Sequence, residues 1–337
     1  MIIPGTYVAA LLLTVLTMLC WGSWANTFKL AGKWRFELFY FDYSLGVLVA
    51  ALIAAFTFGS FGDELSFRDN MDMAGKTQMA YAFGAGMVFN LANMLLVAAI
   101  SVAGMAVAFP VAIGLALVIG VFWNYFLNPQ GNPWLLTGGV ALVVVAIVMD
   151  ALAYAAHASA QRKGKTRKGG ARGLLLCLVS GLLMGSFYPL VAISMRGEIV
   201  GLIPYSASVI FALGVFLSTF VFNLYFMNLP VEGSVLKIGA YFHGTRRQHL
   251  LGLAGGMIWS IGAVSNFVAS SAPKAVHVGP AISYAIGQGA TLVSALWGLL
   301  VWKEFAGASP KVRRLLALML IFFVLGLALL SLAPLFT

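Results

Sequence analysis

Residues Gln161 to Arg172 read QRKGKTRKGGAR, with six Lys/Arg, three Gly and no acid, almost at the midpoint of a 337-residue chain. No other polar and basic interruption is as long. Such a composition offers little to bury and much to hydrate, so the stretch reads as a flexible, solvated connector. It divides the chain into a first unit over residues 1–158, a linker over 159–172 and a second unit over 173–337.

Both flanks of the connector are apolar. The chain is 61% hydrophobic and 9% charged, with a mean hydropathy of +0.97, whereas soluble domains carry about a quarter charged residues. That excludes a water-soluble globule and defines an integral membrane protein, with the lipid bilayer as its surroundings. The net charge of +10 sits in short segments between apolar runs, where it reports orientation in a bilayer and not nucleic-acid binding. Cys20 and Cys177 fall inside apolar runs and read as small buried residues. No CxxC, HExxH or Walker A pattern occurs, so neither a metal nor a cofactor is expected. The first apolar run lacks a basic leading segment and a small-residue cleavage site, and is read as a retained span.

Ten runs have the length an α-helix needs to cross about 30 Å of hydrocarbon. They lie near Tyr7 to Phe28, Leu38 to Phe61, Gln78 to Ile100, Gly104 to Phe126, Trp134 to Ala156, Gly173 to Met195, Leu202 to Phe226, Leu250 to Ser271, Val276 to Trp302 and Leu315 to Leu335. The third and fourth are separated by little more than Ser101 to Ala103, which predicts a tight hairpin. Alternating the loops between two sides places sixteen Lys/Arg on one side, including the connector, and four on the other: Arg68, Lys76, Arg196 and Lys274. Basic loops stay cytoplasmic, so both termini are expected outside.

The halves echo each other. Gly22-Ser23 matches Gly185-Ser186 and Tyr43-Ser44 matches Tyr205-Ser206; at an offset of 170, Gly86-Met87 matches Gly256-Met257, Ser101 matches Ser271 and Pro110 matches Pro280. Five spans per half is an odd number, so the second half enters the membrane inverted, an architecture of many secondary transporters.

These residues resemble the ureide permease family within the drug/metabolite transporter superfamily. Leu19 to Lys29 (LCWGSWANTFK) resembles the family's opening helix, and Phe41-Asp42-Tyr43-Ser44 its Asp-Tyr-Ser/Thr at the start of the second. Gly86 to Asn93 (GMVFNLAN), and Val118-Ile119-Gly120 with Asn124 to Leu127, follow its third and fourth helices. Leu251 to Phe267 and Trp297 to Phe305, with Glu304 at a Gly-Glu-Tyr-like position, resemble its eighth and ninth. The resemblance implies a ten-helix carrier for allantoin, uracil and similar neutral ureides or nucleobases. Three features depart from the plant members: the connector is short, which is bacterial in character, and Asn266 and Ala263 stand where the family has glutamine and asparagine. Sugar-transporting relatives for glucose and rhamnose share the Trp-Gly-Ser type of first helix and form the alternative.

Polar and aromatic side chains within the apolar runs are the candidates for holding a solute near the midplane. Asn90 and Asn93 lie three apart on one helical face, and an amide that both donates and accepts suits a ureide, a lactam or a sugar hydroxyl; such asparagines also serve as interhelical glue. Trp21, Trp24 and Asn26 in the first span, with Ser186 and Tyr188 in the sixth, offer ring faces for a flat heterocycle or pyranose. Trp259, Asn266, Tyr284 and Gln288 repeat the pattern in the eighth and ninth. There Gly279-Pro280 and Gly287-Gln288-Gly289 could open the helix locally, and Gly181/Gly185 and Gly252/Gly256 read as close-packing pairs.

Acids inside the membrane are costly and need a reason. Asp42 is the candidate for proton coupling, against pairing with Lys29, Lys33 or Arg35; Asp150 stands behind it, and Glu304 reads as a structural ion pair. Histidines at 157, 243, 249 and 277 form no cluster in sequence, so no enzyme is expected. The reading is therefore an all-α, ten-helix, inverted-repeat carrier of a small-molecule solute, monomeric, in the bacterial inner membrane with periplasmic termini.

Overall fold

Why the chain folds as it does is set by its helix starts and its small residues. The computed structural model describes residues 1–62, 64–103, 105–161, 171–197, 200–230, 233–273, 276 and 278–336. The core of the connector, residues 162–170, lies outside the described residues, as do Lys274, His277 and Thr337. Regular structure among the described residues is helical throughout: α1 (Tyr7–Ser23), α2 (Ala25–Leu30), α3 (Phe36–Phe56), α4 (Phe67–Met73), α5 (Lys76–Ala103), α6 (Met105–Leu127), α7 (Pro133–Gln161), α8 (Ala171–Ser194), α9 (Pro204–Asn228), α10 (Gly239–Phe242), α11 (Arg246–Ser270), α12 (Pro280–Gly287), α13 (Ala290–Leu296) and α14 (Pro310–Leu332). A π-helical turn, Trp297–Val301, follows α13.

The starts follow local chemistry. Thr245 and Gln248 form a capping box on α11. Ser309 caps α14, which has Pro310 at its first position, and Pro204 opens α9 in the same way.

Among the described residues, nine helical stretches are long and apolar enough to cross a membrane; α1 with α2, and α12 through Val301, count as one each, and Val111–Leu127 of α6 is a shorter apolar helix. Boundaries shift from the sequence reading by a few residues at several helix ends, as at Phe56 and Pro310, and three differences bear on how the chain is divided. α5 runs through Ser101–Ala103, because nothing before Gly104 breaks the helix. Gln161, Ala171 and Arg172, read as connector, belong to α7 and α8. The first span is interrupted at Trp24.

Loop contacts sort the molecule into two ends. At one, Lys29 pairs with Glu304, Arg35 Nη1 donates to Ser234 O at 2.6 Å and Gln248 Nε2 to Ala31 O at 3.3 Å. This end also carries the ends of α7 and α8 that flank the connector, and is called the basic end below. At the other, Tyr205 OH donates to Ile2 O at 2.8 Å, Asn70 Nδ2 to Gly201 O at 2.9 Å and Asn132 N to Ala333 O at 2.8 Å, while Tyr7 OH donates to Ser331 O. The first residues and the last described ones therefore share an end.

Two helix crossings hold the centre, α3 on α11 and α5 on α9, and both depend on glycine. A Cβ on Gly256 would lie 1.9 Å from Tyr43 O and 2.8 Å from Val47 N; one on Gly86 would lie 2.1 Å from Phe211 O and 3.0 Å from Val215 N. Gly46 meets Leu253 O, and Gly214 meets Phe83 O, in the same way. Even the side-chain clamps correspond: Ser260 Oγ donates to Val47 O at 2.9 Å, and Asn90 Nδ2 to Val215 O at 3.2 Å. The contacting positions of α11 and α5 differ by 170 residues and those of α9 and α3 by 168. Gly181 and Gly185 likewise bring α8 against the carbonyls of Ala112 and Ala116. Large apolar side chains left exposed, such as Leu318, Ile321 and Val324 on α14, face outward where lipid would lie.

Candidate functional site

Between the halves runs one cavity in two parts. A narrow inner chamber of about 170 Å³ is lined by Trp21, Phe89, Asn93, Phe187, Trp259 and Gln288, among others. A wide chamber of about 600 Å³ continues from it past Asn26, Phe28, Asp150 and Tyr154 to Lys29, Gly32 and Glu304 at the basic end. Trp24, Asn93, Leu96, Thr291 and Ser294 line both.

Two helix junctions sit on the wall of the narrow chamber. α1 meets α2 at Trp24, and α12 meets α13 at Gln288 and Gly289, with φ and ψ in the right-handed helical region at all three residues. Aromatic packing then fixes the walls. Trp21 stacks on Trp259 with centroids 5.8 Å apart and planes within 11°, and Phe89 lies 4.4 Å from Trp259. The amides of Asn93 and Gln288 supply the polarity. Asn93 Nδ2 donates to Tyr40 OH at 3.1 Å, and its carbonyl oxygen accepts no hydrogen bond among the described residues. No charged group lines the narrow chamber among the described residues.

Six of the candidates from sequence meet at this cavity: Trp21, Trp24, Asn26, Asn93, Trp259 and Gln288. Asn26 is already engaged, accepting from Trp302 Nε1 at 2.6 Å and donating to Ser23 O at 2.8 Å. The structure places the others elsewhere. Asn90 is fully buried and its Nδ2 reaches Val215 O, Ser218 Oγ and Thr219 Oγ1, so it clamps α5 to α9. Ser186 Oγ turns back to Leu182 O at 2.6 Å.

Tyr188, Asn266 and Tyr284 form a plug between the narrow chamber and the end that holds the termini. Tyr188 OH lies 3.0 Å from Ser283 Oγ, Asn266 Nδ2 donates to Ser283 O at 2.9 Å, and Tyr284 OH to Met184 O at 3.3 Å. The two tyrosine rings sit 5.0 Å apart with Phe187 and Phe267 against them.

Asp42 is off the cavity. Its partners are not Lys29, Lys33 or Arg35: Oδ1 accepts from Tyr241 OH at 2.6 Å and Oδ2 lies 2.8 Å from His249 Nδ1. The reason is topological, since the loop after α9 folds α10 and the start of α11 over this face of α3. Burial, then the hydrogen bond to Asp42, holds the Tyr241 phenol above its ordinary range.

At the mouth, Glu304 accepts from Lys29 and, at 2.7 Å, from Tyr154 OH, and Lys29 Nζ also sits 4.3 Å from the Trp302 ring. Burial pushes the Glu304 carboxyl up, but the hydrogen bonds from Lys29 and Tyr154 outweigh it and leave the group below its ordinary range. Sequence reasoning singled out neither Phe89, Thr291 nor Ser294, and Tyr154 escaped it too. Period within a span marks a face but not which neighbour that face meets.

Membrane-crossing helices around a cavity that reaches the surface at one end and is plugged at the other define a protein built to pass a solute. A sequence model described as ureide permease matches residues 39–172 and 165–333, and the chain belongs to the ureide permease family. Its two matched segments meet in the basic connector. Ureide permease 2 of Arabidopsis thaliana is 24% identical over 97% of this chain and 96% of its own length. Ureide permease 1 of the same plant is 24% identical over the same shares, and Probable ureide permease A3 of Vigna unguiculata is 30% identical over 37% of this chain and 35% of its own. A solved crystal structure aligns with a TM-score of 0.59 at 17% identity, over 96% of this chain and 97% of that one, which shows the fold alone. The relatives are permeases, and this chain is a multi-pass membrane transporter and not an enzyme.

Proposed function

We propose that this chain is a secondary carrier that moves a small neutral ureide or nucleobase of the allantoin or uracil kind across the inner membrane of a bacterium by alternating access, coupled to protons. The observation that carries the reading is the narrow chamber: tryptophan rings and two amides without a charge on its wall. A flat, uncharged ring rich in N–H and C=O groups matches that chemistry, with stacking for affinity and amides for orientation.

The architecture we assign is ten helices in two inverted five-helix repeats of the drug/metabolite transporter type, working as a monomer. Two observations support it. Chain ends that share one face of the molecule require an even number of crossings, which nine long helices do not give and α6 supplies. The glycine crossings α3 on α11 and α5 on α9 exchange into one another at constant offsets. Basic residues gather at the connector's end, which assigns that end to the cytoplasm and the termini to the periplasm. The cavity is then open inward, with the Tyr188–Tyr284 plug as the closed outer gate.

Counterflow in proteoliposomes tests the reading: preloaded allantoin or uracil should drive saturable uptake of the labelled compound. Glucose and rhamnose serve as the competing arm, since pyranose faces also stack on tryptophan. Exchange of sugars alone would overturn the ureide assignment and keep the carrier.

A further inference from the structure

We propose that Asp150 is the group that takes up and releases the proton moved with the solute; this rests on the proton-coupled carrier reading above and names its residue. Two acids lie beyond the first turn of the described membrane-spanning helices, Asp42 and Asp150. Their surroundings are opposite. Both oxygens of Asp42 are held, by Tyr241 and by His249, away from the cavity. Asp150 lines the wide chamber, makes no hydrogen bond or ion pair among the described residues, and buries its Oδ1 without a partner.

The titratable groups around Asp150 leave it without a counter-ion. Tyr154 and His157 lie on its own helix, and the Tyr154 hydroxyl is donated to Glu304. Glu304, from the loop after the π-helical turn, is already matched by Lys29 from α2. α14, packed along α7, brings Lys311, Arg313 and Arg314 only in its first turn, where all three are exposed, and α6 brings Tyr125 alone. An ionised oxygen without donor or cation in low-dielectric surroundings is costly, and one proton removes the charge.

Asp150 therefore decides whether the chamber wall is negative or neutral. In the ionised form the wall needs water, which keeps the chamber wetted and open to the basic end. A neutral wall can close on itself. One proton, bound as the carboxyl O–H on one side and returned from the same oxygen on the other, balances each cycle. Asp150 lies outside the narrow chamber assigned to solute, so binding and coupling are separable.

Two measurements decide it. In proteoliposomes, Asp150→Asn should lose at least tenfold in uptake driven by an imposed pH gradient while counterflow exchange persists, and Asp150→Glu should restore part of the driven uptake. On the unaltered protein, dicyclohexylcarbodiimide, which adds to protonated carboxyls in apolar surroundings, should label Asp150 by mass spectrometry, more at low pH than at high, whether or not any solute is known. Driven uptake that survives in Asp150→Asn, or carbodiimide adducts on Asp42 or Glu304 with none on Asp150, would overturn the proposal. Absence of allantoin and uracil exchange in the wild type would instead sink the solute assignment, and the carbodiimide result would still decide Asp150.

Discussion

Asn90 and Asn93 share a helix, a face and a side chain, yet they do different work. Asn90 spends its amide on α9, where three acceptors sit within 3.2 Å, whereas Asn93 keeps one side toward the cavity. Asn93→Ala should lower kcat/KM for the carried solute about tenfold, or about 1.4 kcal/mol of transition-state binding, with membrane insertion normal. Asn90→Ala should leave kcat/KM nearly unchanged and lower stability by about 1–3 kcal/mol, because buried hydroxyls and a carbonyl lose a donor; thermal melts in detergent beside uptake kinetics separate the two. Sequence made the residue type and its depth legible. It could not show whether a given amide meets a neighbouring helix or a void, because that depends on the crossing geometry. Glu304 gives a pH signature of its own. Its carboxyl is held below the ordinary 4.5 by Lys29 and Tyr154, so its contribution is present above that value and is lost as pH falls through the lowered one. Melting temperature should therefore decline on acidification below about pH 4.5, and decline less in Glu304→Gln. With the group partly exposed, the shift should be small.

Helices were the most legible feature, since uninterrupted apolar length states them almost directly. Their junctions were less so. At Gly287-Gln288-Gly289, where the glycines suggest an opening, Gln288 N still donates to Tyr284 O and Gly289 N to Ile286 O, and the junction at Trp24 is not marked by a Gly or Pro at that residue. Look-alike side chains such as Tyr43-Ser44 and Tyr205-Ser206 are visible in sequence, whereas close packing is set by where the backbone can approach: the Tyr43 carbonyl meets Gly256 and the Phe211 carbonyl meets Gly86. Gly256→Ala would push a methyl into the Tyr43 carbonyl and should cost about 1–3 kcal/mol, read as a lower melting temperature with the expression level normalised. At offsets of 168 and 170 residues from Asp42 of α3 and His249 of α11 stand Ile210 and Met79, which pack into one apolar cluster. One crossing is thus latched by a polar pair and its counterpart by hydrocarbon. His249→Ala would leave a buried acid short of a partner and should destabilise by about 3 kcal/mol, whereas Met79→Ala should behave as an ordinary core truncation.

For the whole molecule, the wide chamber ties the cavity to the end that carries the connector, and the aromatic plug separates it from the end that carries the termini. Access should therefore be one-sided in this state. Ser294 lines both chambers, so a cysteine placed there, in a protein whose Cys20 and Cys177 are replaced, samples the whole path. An impermeant maleimide added on the connector's side should label Ser294→Cys at least tenfold faster than one added on the side of the termini, with a tag inserted at Gly169 reporting which side is which. Cutting the plug shifts the balance in a defined direction: Phe267 packs against Tyr188 and Phe211, and Phe267→Ala should remove about 3–5 kcal/mol of packing from the closed side. A closed state weakened by that much cannot hold its former excess over the alternative, since each 1.4 kcal/mol is a factor of ten in population. Labelling from the side of the termini should then rise in the double variant while labelling from the connector's side falls. If both rates stay as they were, the aromatic cluster is core and not a gate, and the closed end must be held by the α3–α11 and α5–α9 crossings alone.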